Sequence, residues 1–198
     1  MPPADRLFLD ALSALASALE EAGAPSMLIG GVAVIVRGVP RQTVDIDATI
    51  WAEGLDVEAF VRLLARHRLE PRVPDALAFA RQHQVLLLRH QPSGTPLEVS
   101  FAWLDFEREA LERATVEDIA GVRLRVATAD DLIVFKAVAW RDRDRADIER
   151  LLATHWGKLD LARIRELVRA FSQALEEPER VAAFETLVTR AAGDAGRG

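Results

Sequence analysis

Two aspartates near the end of the first quarter of the sequence have the type and spacing needed for metal chemistry. Asp45 and Asp47 alternate with apolar residues in a strand-like run from Val44 to Ile50, and the two-residue period of a strand points both carboxylates to one face. Crowded carboxylates repel one another and are costly to desolvate, and a cation relieves both effects. The pattern predicts a metal site, with a solvated strand edge or pairing to arginine as the alternatives.

A glycine pair precedes these aspartates. Gly30 and Gly31 follow the short run Ser26–Ile29 and begin a helix-like segment, where backbone N–H groups can face phosphate oxygens because glycine has no Cβ in the way. Most Gly-Gly steps are turns or helix entries without a ligand. The prediction of a phosphate site therefore depends on the order of the two motifs, a glycine pair followed by Asp-x-Asp.

Glu98 is the candidate for a third carboxylate. It lies in a predicted β-hairpin with strands Val85–His90 and Pro96–Ala102. If the second strand lies beside the run that carries Asp45 and Asp47, Glu98 is a cross-strand neighbour able to complete a metal cage. The alternative is an exposed strand residue.

Lys136 is one of only two lysines among the 25 basic residues. Its ammonium is a compact point charge suited to a phosphate oxygen, whereas the alternative is an ordinary helix-surface lysine. Thr128 and Asp131 form a capping box that predicts a helix from Ala129 to Trp140. Position 136 then lies beside an apolar stripe formed by Leu132, Phe135, Val138 and Ala139.

Taken together, the motifs resemble the nucleotidyltransferases of the DNA polymerase beta superfamily, and most of all its AbiEii/AbiGii toxin-like branch, a type IV toxin–antitoxin group. The resemblance covers about residues 20–155. It is carried by Gly30-Gly31, Arg37-Gly38, Arg41-x-Thr43, Asp45-Ile46-Asp47, the run from Ala129 to Lys136, and Arg143-Asp144-x-x-Asp147-Ile148.

The resemblance implies a set of site residues and a reaction. Two Mg²⁺ ions, or Mn²⁺, would be held by Asp45, Asp47 and Glu98, with Lys136 as a further catalytic residue. An acceptor hydroxyl would attack the α-phosphate of a nucleoside triphosphate such as ATP, and pyrophosphate would leave. The nucleotide-binding residues implied are Gly30, Gly31, Arg37, Arg41, Thr43, Lys136 and Asp144, of which the two arginines either neutralise the triphosphate or pair with the site carboxylates.

The resemblance also implies a biological role and leaves alternatives. The role is a toxin that modifies a tRNA end or another RNA and has a cognate antitoxin protein. One alternative is transfer of AMP to a protein or of a nucleotide to a small molecule such as an aminoglycoside. Another is a catalytically inactive nucleotide-binding module, because the sequence has Gly-Gly where the superfamily more often has Gly-Ser, and Glu98 where aspartate is commoner.

Strand-like segments fill the first two-thirds of the 198 residues, half of which are apolar, and helical ones fill the last third. The proline-bearing stretch from Glu70 to Pro74, which leads into the hairpin, is interpreted as irregular. The predicted fold is α/β (α+β), with a polymerase-beta-like core of mixed sheet at 1–128 and a C-terminal helical bundle at 129–192 packed on it in one compact unit. Residues 193–198 are predicted to be a disordered tail.

The remaining composition bears on location and partners. The sequence has no cysteine, no signal-peptide layout and no apolar run that could span a membrane, so we expect a cytoplasmic protein. Its net charge of −6 argues against a wide nonspecific nucleic-acid surface. Residues 61–90 differ, since six arginines against two acids give +4, which either guides an RNA end or is ordinary solvated surface. The oligomeric state is left open.

Overall fold

The computed structural model describes residues 3–195, and these residues form two compact units. The first contains the described residues up to Val32 together with 42–127, and the second contains residues 33–41 together with those from Thr128 onward. Residues 33–41 belong to the same unit as the C-terminal helices.

A mixed sheet is the framework of the first unit, with seven strands among the described residues in the order β3-β4-β5-β2-β1-β7-β6. Strands β2 and β5 are parallel, as are β1 and β7, and the other neighbours are antiparallel. The predicted α/β class with a mixed sheet is confirmed. The strands are β1 (Ser26–Ile29), β2 (Ile46–Trp51), β3 (Leu69–Pro71), β4 (Val85–His90), β5 (Pro96–Ala102), β6 (Thr115–Ile119) and β7 (Val122–Val126).

The helices of the first unit cover and connect these strands. They are α1 (Pro3–Ala22), α3 (Val57–Arg66), α4 (Ala76–His83) and α5 (Asp105–Arg113), while α2 (Gly30–Val36) begins in this unit and continues in the second. Helix α3 begins at Asp56, whose carboxylate accepts the Ala59 N–H at 3.0 Å, and this N-cap satisfies one of the free donors of the first turn.

Burial alternates around the predicted carboxylates of β2 and β5. In β2, Ile46, Ala48 and Ile50 are buried while Asp47 is half-buried. In β5, Leu97 and Val99 are buried and Glu98 is half-buried. One face of this part of the sheet therefore packs on apolar side chains, and the other face holds the carboxylates.

Two elements were not predicted from the sequence. β3 and α4 fall in and after the stretch interpreted as irregular, Glu70 to Pro74. β3 has only three residues and includes Pro71, and an edge position tolerates proline because that side of the strand needs no ladder hydrogen bond. Strand β2 also begins later than predicted, since Val44 is 75% exposed and Asp45 precedes the strand.

The second unit is helical apart from the segment 33–41. It contains α6 (Ala129–Ala139), α7 (Asp142–Thr154), α8 (Leu161–Ala174) and α9 (Glu179–Ala195). Helix α9 includes residues 193–195 of the predicted disordered tail, and residues 196–198 lie outside the described part of the chain. Within residues 3–195, no helix combines the length and the hydropathy needed to cross a membrane.

Helix α6 is more buried than its predicted one-sided stripe implies. Leu132, Ile133, Val134, Lys136 and Ala137 are all buried, whereas Val138 is half-buried and Ala139 is exposed. Helices α7 and α8 both pack against α6, and a helix enclosed on several sides has no single apolar stripe. Lys136 therefore lies inside the helical unit and not beside its buried face.

Candidate active site

The glycine pair and Asp47 meet where β1 ends and β2 begins. Ile29 is paired with Asp47 across the two strands, so Gly30 follows directly beside that carboxylate. Gly30 has a φ of +63°, and a Cβ at this position would lie 1.9 Å from Asp47 Oδ2. The N–H of Gly31 donates to the same oxygen at 3.4 Å. Only glycine fits at position 30, because the Asp47 carboxylate occupies the space of a side chain.

Asp45 is held by a residue of its own loop. The Thr43 hydroxyl donates to Asp45 Oδ1 at 2.8 Å and to the Asp45 carbonyl oxygen at 3.3 Å. Asp45 and Asp47 are both half-buried, and the residue between them, Ile46, is buried. Thr43, predicted to bind nucleotide, thus orients the first carboxylate of the pair in this structure.

Glu98 lies directly beside Asp47 in the sheet. The two are partners in the parallel pair of β2 and β5, so their side chains share a face. Glu98 Oε1 accepts a hydrogen bond from Arg72 Nη2 at 2.7 Å. Sequence reasoning missed Arg72, because it follows the short strand β3 that was interpreted as irregular.

The three carboxylates can be tested as ligands for a divalent cation. Carboxylate oxygens suit Mg²⁺ and Mn²⁺, and strand register places Asp47 beside Glu98, while Asp45 lies just before β2. In the part of the chain that the structure describes, no group of three His, Cys, Asp or Glu side chains stands close enough to hold an ion. Glu98 is engaged by Arg72 and Asp45 by Thr43. The donor set therefore fits such an ion in its chemistry, while Glu98 and Asp45 are directed to protein partners.

Lys136 belongs to a buried charge cluster of the second unit. Its Nζ lies 3.2 Å from Asp144 Oδ1 and 2.7 Å from Asp147 Oδ2. Arg41 also pairs with Asp147 at 2.5 Å, and Arg141 Nε pairs with Asp144 at 2.6 Å. Each of these buried aspartates has at least two cationic partners, as a carboxylate removed from water requires. The burial of Lys136, whose side chain is 7% exposed, rules out an ordinary surface lysine.

Opposing effects act on Asp144. Burial alone would raise the pKa of Asp144, but the hydrogen bond from Arg141 and the charge of Lys136 outweigh it and hold that pKa below its ordinary value. The backbone N–H of Arg141, at the start of α7, also donates to Asp144 at 3.2 Å. A carboxylate is favoured there because the first turn of a helix has free N–H donors.

The predicted site residues fall into two sets. Gly30, Gly31, Thr43, Asp45, Asp47 and Glu98 belong to the first unit, and Arg37, Arg41, Lys136 and Asp144 belong to the second. Arg37 is half-buried, and its carbonyl oxygen lies 2.8 Å from His155 Nε2.

A cavity of about 970 Å³ in the first unit lies away from the carboxylates. Its lining includes Ser26 at the start of β1 and Trp51 at the end of β2. Since β1 and β2 are antiparallel, these residues mark the end of the two strands opposite Gly30 and Asp47. The carboxylates, and not this cavity, carry the groups suited to phosphate chemistry.

A family match covers most of the chain and agrees with these motifs. Residues 8–191 match the family described as "Nucleotidyltransferase of unknown function (DUF6036)", and the chain belongs to that family. The enzyme class predicted from the sequence, a nucleotidyltransferase, is confirmed. No curated protein matches this sequence.

Solved structures give the same fold. The crystal structure of ANT(2'')-Ia in complex with adenylyl-2''-tobramycin has a TM-score of 0.55 at 19% identity, covering 86% of this chain and 99% of that one. The solution structure of the antibiotic-resistance factor ANT(2'')-Ia has a TM-score of 0.50 at 23% identity, covering 90% of this chain and 96% of that one. The crystal structure of an antigenic nucleotidyltransferase-like protein from Paracoccidioides brasiliensis has a TM-score of 0.53 at 16% identity, covering 89% of this chain and 92% of that one.

The contact between Gly30 and Asp47 predicts that Gly30→Ala lowers the free energy of unfolding by more than the positive φ of residue 30 alone explains. An alanine with positive φ costs about 1–2 kcal/mol, and displacing Asp47 adds about 1–3 kcal/mol of overpacking strain. Gly23→Ala is the matched control, because Gly23 has a φ of +68° and a Cβ added there would meet nothing within 4 Å. Urea unfolding measures both variants, and equal losses would show that Asp47 does not constrain position 30.

The charge cluster predicts that Lys136→Ala destabilises the protein by about 3–5 kcal/mol, because Asp144 and Asp147 each lose a buried cationic partner. Lys136→Arg should fall between the wild type and the alanine variant, since the charge is kept but a larger planar group must fit. The other lysine, Lys158, is exposed, and Lys158→Ala should change stability by less than about 0.5 kcal/mol. Similar unfolding midpoints for both alanine variants would contradict the role of Lys136 in this cluster.

The lowered pKa of Asp144 predicts a pH-dependent contribution to stability. A carboxyl whose pKa is lower in the folded state stabilises the protein above its unfolded pKa, about 3.9, and loses that effect as the pH falls through the folded value. The difference in unfolding free energy between wild type and Asp144→Asn should stay constant from pH 7 to about pH 5 and shrink below about pH 4. Chemical denaturation at several pH values measures it, and a constant difference down to pH 3 would contradict the prediction.

Proposed function

We propose that this chain transfers a nucleoside monophosphate from a nucleoside triphosphate to an acceptor hydroxyl, with Mg²⁺ or Mn²⁺ as cofactor. The observation that carries the proposal is the placement of Asp47 between the glycine pair and Glu98, with Asp45 two residues away. In the reaction, a bond forms between the acceptor oxygen and the α-phosphorus. The bond from that phosphorus to the pyrophosphate oxygen breaks, and pyrophosphate leaves.

The residues of the first unit have distinct proposed roles. Asp45 and Asp47 would hold the cations together with Glu98, and Thr43 would keep the Asp45 carboxylate in place through its 2.8 Å hydrogen bond. Two bound ions would supply neutralisation of the phosphates and activation of the acceptor hydroxyl. The Asp47 carboxylate takes the space that a Cβ at Gly30 would fill, so phosphate oxygens would approach the backbone of the glycine pair beside that carboxylate.

The predicted nucleotide-binding role of Arg37, Arg41, Lys136 and Asp144 has less support. Arg41, Lys136 and Asp144 are engaged in the buried cluster with Asp147 and Arg141. Those contacts support a role in stabilising the helical unit. Contact with nucleotide stays a prediction for all four.

For the acceptor, we propose an RNA end, such as that of a tRNA, as the resemblance to the AbiEii/AbiGii branch implies. In that case the chain would act as a toxin with a cognate antitoxin. The arginines between residues 61 and 90 are the candidate RNA-facing charges. This assignment depends on family analogy, and a fold alone does not fix function.

A small-molecule acceptor is the second candidate, and the pairing of the arginines favours it. Arg62 pairs with Glu58, Arg66 with Glu21 and Arg72 with Glu98, so three of the six charges in residues 61–90 already have acidic partners. Their attraction for a phosphate backbone is reduced accordingly. ANT(2'')-Ia, which shares the fold, has been solved with adenylyl-2''-tobramycin, and an aminoglycoside is therefore a direct test compound.

The carboxylate pair predicts that Asp45→Asn and Asp47→Asn each lower nucleotidyl transfer by about a hundredfold or more, because charge stabilisation of the transition state is lost. Both variants should stay folded, since removing one crowded carboxylate relieves repulsion. Asp142→Asn is the matched control. Asp142 and Asp144 form a second Asp-x-Asp motif, and the Asp142 side chain is 94% exposed. Wild-type rates in both site variants would refute the proposed site.

One experiment tests the activity and separates the acceptors. The protein is incubated with Mg²⁺ and each α-labelled nucleoside triphosphate, together with total RNA, total protein or an aminoglycoside panel. Label in RNA supports the toxin-like function, label in an antibiotic supports the second candidate, and label in protein supports neither. Nucleotide binding without pyrophosphate release in any mixture would indicate an inactive binding module and contradict the proposal.

A further inference from the structure

Arg72 follows the edge strand β3, and its side chain reaches Glu98 on β5 across the intervening strand β4. Its backbone N–H donates to the Leu87 carbonyl oxygen at 2.9 Å. Leu87 is paired with Glu98, and Glu98 with Asp47. These four residues form a row across the sheet, and the guanidinium of Arg72 extends along that row to Glu98 Oε1.

The hydrogen bond from Arg72 occupies a Glu98 oxygen that a divalent cation would use as a ligand. Asp47 and Glu98 place negative charge on one face of the sheet, Asp45 lies just before β2, and a nearby positive charge relieves the repulsion between these carboxylates. The Arg72 guanidinium supplies such a charge. A divalent cation that recruits Glu98 needs the same carboxylate, so the two positive groups compete for it.

We propose that Arg72 competes with the divalent cation for Glu98. Arg72 binds Glu98 when no cation is present and releases it when a cation binds. The inference rests on the proposed function, because the cation site is the one proposed above. The side chains of Arg72 and Glu98 are 31% and 43% exposed, so water can replace each partner during the exchange. Arg72 thereby sets how much cation is needed to load the site.

The size of the effect follows from the exposure of the pair. Partly exposed ion pairs are weak, and a competitor of that strength reduces cation affinity by about two- to fivefold. Arg72→Gln removes the charge and keeps the backbone N–H that bonds Leu87. We therefore expect this variant to bind Mn²⁺ alone, without nucleotide, about two- to fivefold more tightly than wild type.

Arg89→Gln is the matched control. Arg89 lies on the neighbouring strand β4, is exposed and donates to the Gly94 carbonyl oxygen at 3.4 Å. This variant makes the same change in net charge without touching Glu98, so its Mn²⁺ affinity should stay near that of wild type. The double variant Arg72→Gln/Glu98→Gln should bind Mn²⁺ no more tightly than Glu98→Gln, because the gain needs the Glu98 carboxylate.

Mn²⁺ titration followed by electron paramagnetic resonance measures wild type, these four variants and Asp47→Asn, and thermal melting confirms that each is folded. An unchanged affinity in Arg72→Gln, an equal gain in Arg89→Gln, or a gain that persists without the Glu98 carboxylate would each overturn the inference. If Mn²⁺ binding and transfer are lost in Asp47→Asn while Arg72→Gln binds like wild type, only the inference fails. If no variant binds Mn²⁺ and the protein transfers nothing, the inference and the proposed function fail together.

Discussion

The approach of the Asp47 carboxylate to the backbone of Gly30 sets the geometry at one end of the two interior strands β1 and β2. Strand register places Ile29 opposite Asp47, and the next residue must leave β1 with a positive φ while giving space to Oδ2. The same step supplies the Gly31 N–H as a donor, which offsets part of the cost of holding a carboxylate away from water. The turn out of β1, the start of α2 and the position of Asp47 are therefore one linked arrangement.

The carboxylates of the two units differ in their burial and in the strength of their ion pairs. On the sheet, the carboxylates are half-buried and have weak, partly exposed partners such as Arg72. In the helical unit, Asp144 and Asp147 are almost fully buried, at 1% and 2% exposure, and each has at least two cations. Pairs of the first kind can exchange partners in water, whereas pairs of the second kind hold helices together because separating them leaves uncompensated buried charge.

Local sequence signals predicted the parts of the fold that depend on short-range patterns. The bounds of β4 and β5 agree with the predicted hairpin, because alternating apolar residues flank a Pro-Ser-Gly turn, and the predicted neighbour relation of Glu98 follows from the pairing of β2 with β5. What failed depends on distant partners. The short strand β3 is defined only by its pairing with β4, the contact of Arg72 with Glu98 needs that pairing, and the burial of Lys136 needs α7 and α8.

The helical unit includes residues 33–41, which come from an early part of the chain. Arg41 and its partner Asp147 are 106 residues apart in sequence. During synthesis, Arg41 leaves the ribosome long before Asp147 exists, so this ion pair cannot form until nearly three-quarters of the chain has been made. Closing so long a loop carries an entropic cost and slows folding relative to a bundle of consecutive helices. A fragment that begins at α6 would lack Arg41 and so leave Asp147 without one of its native partners.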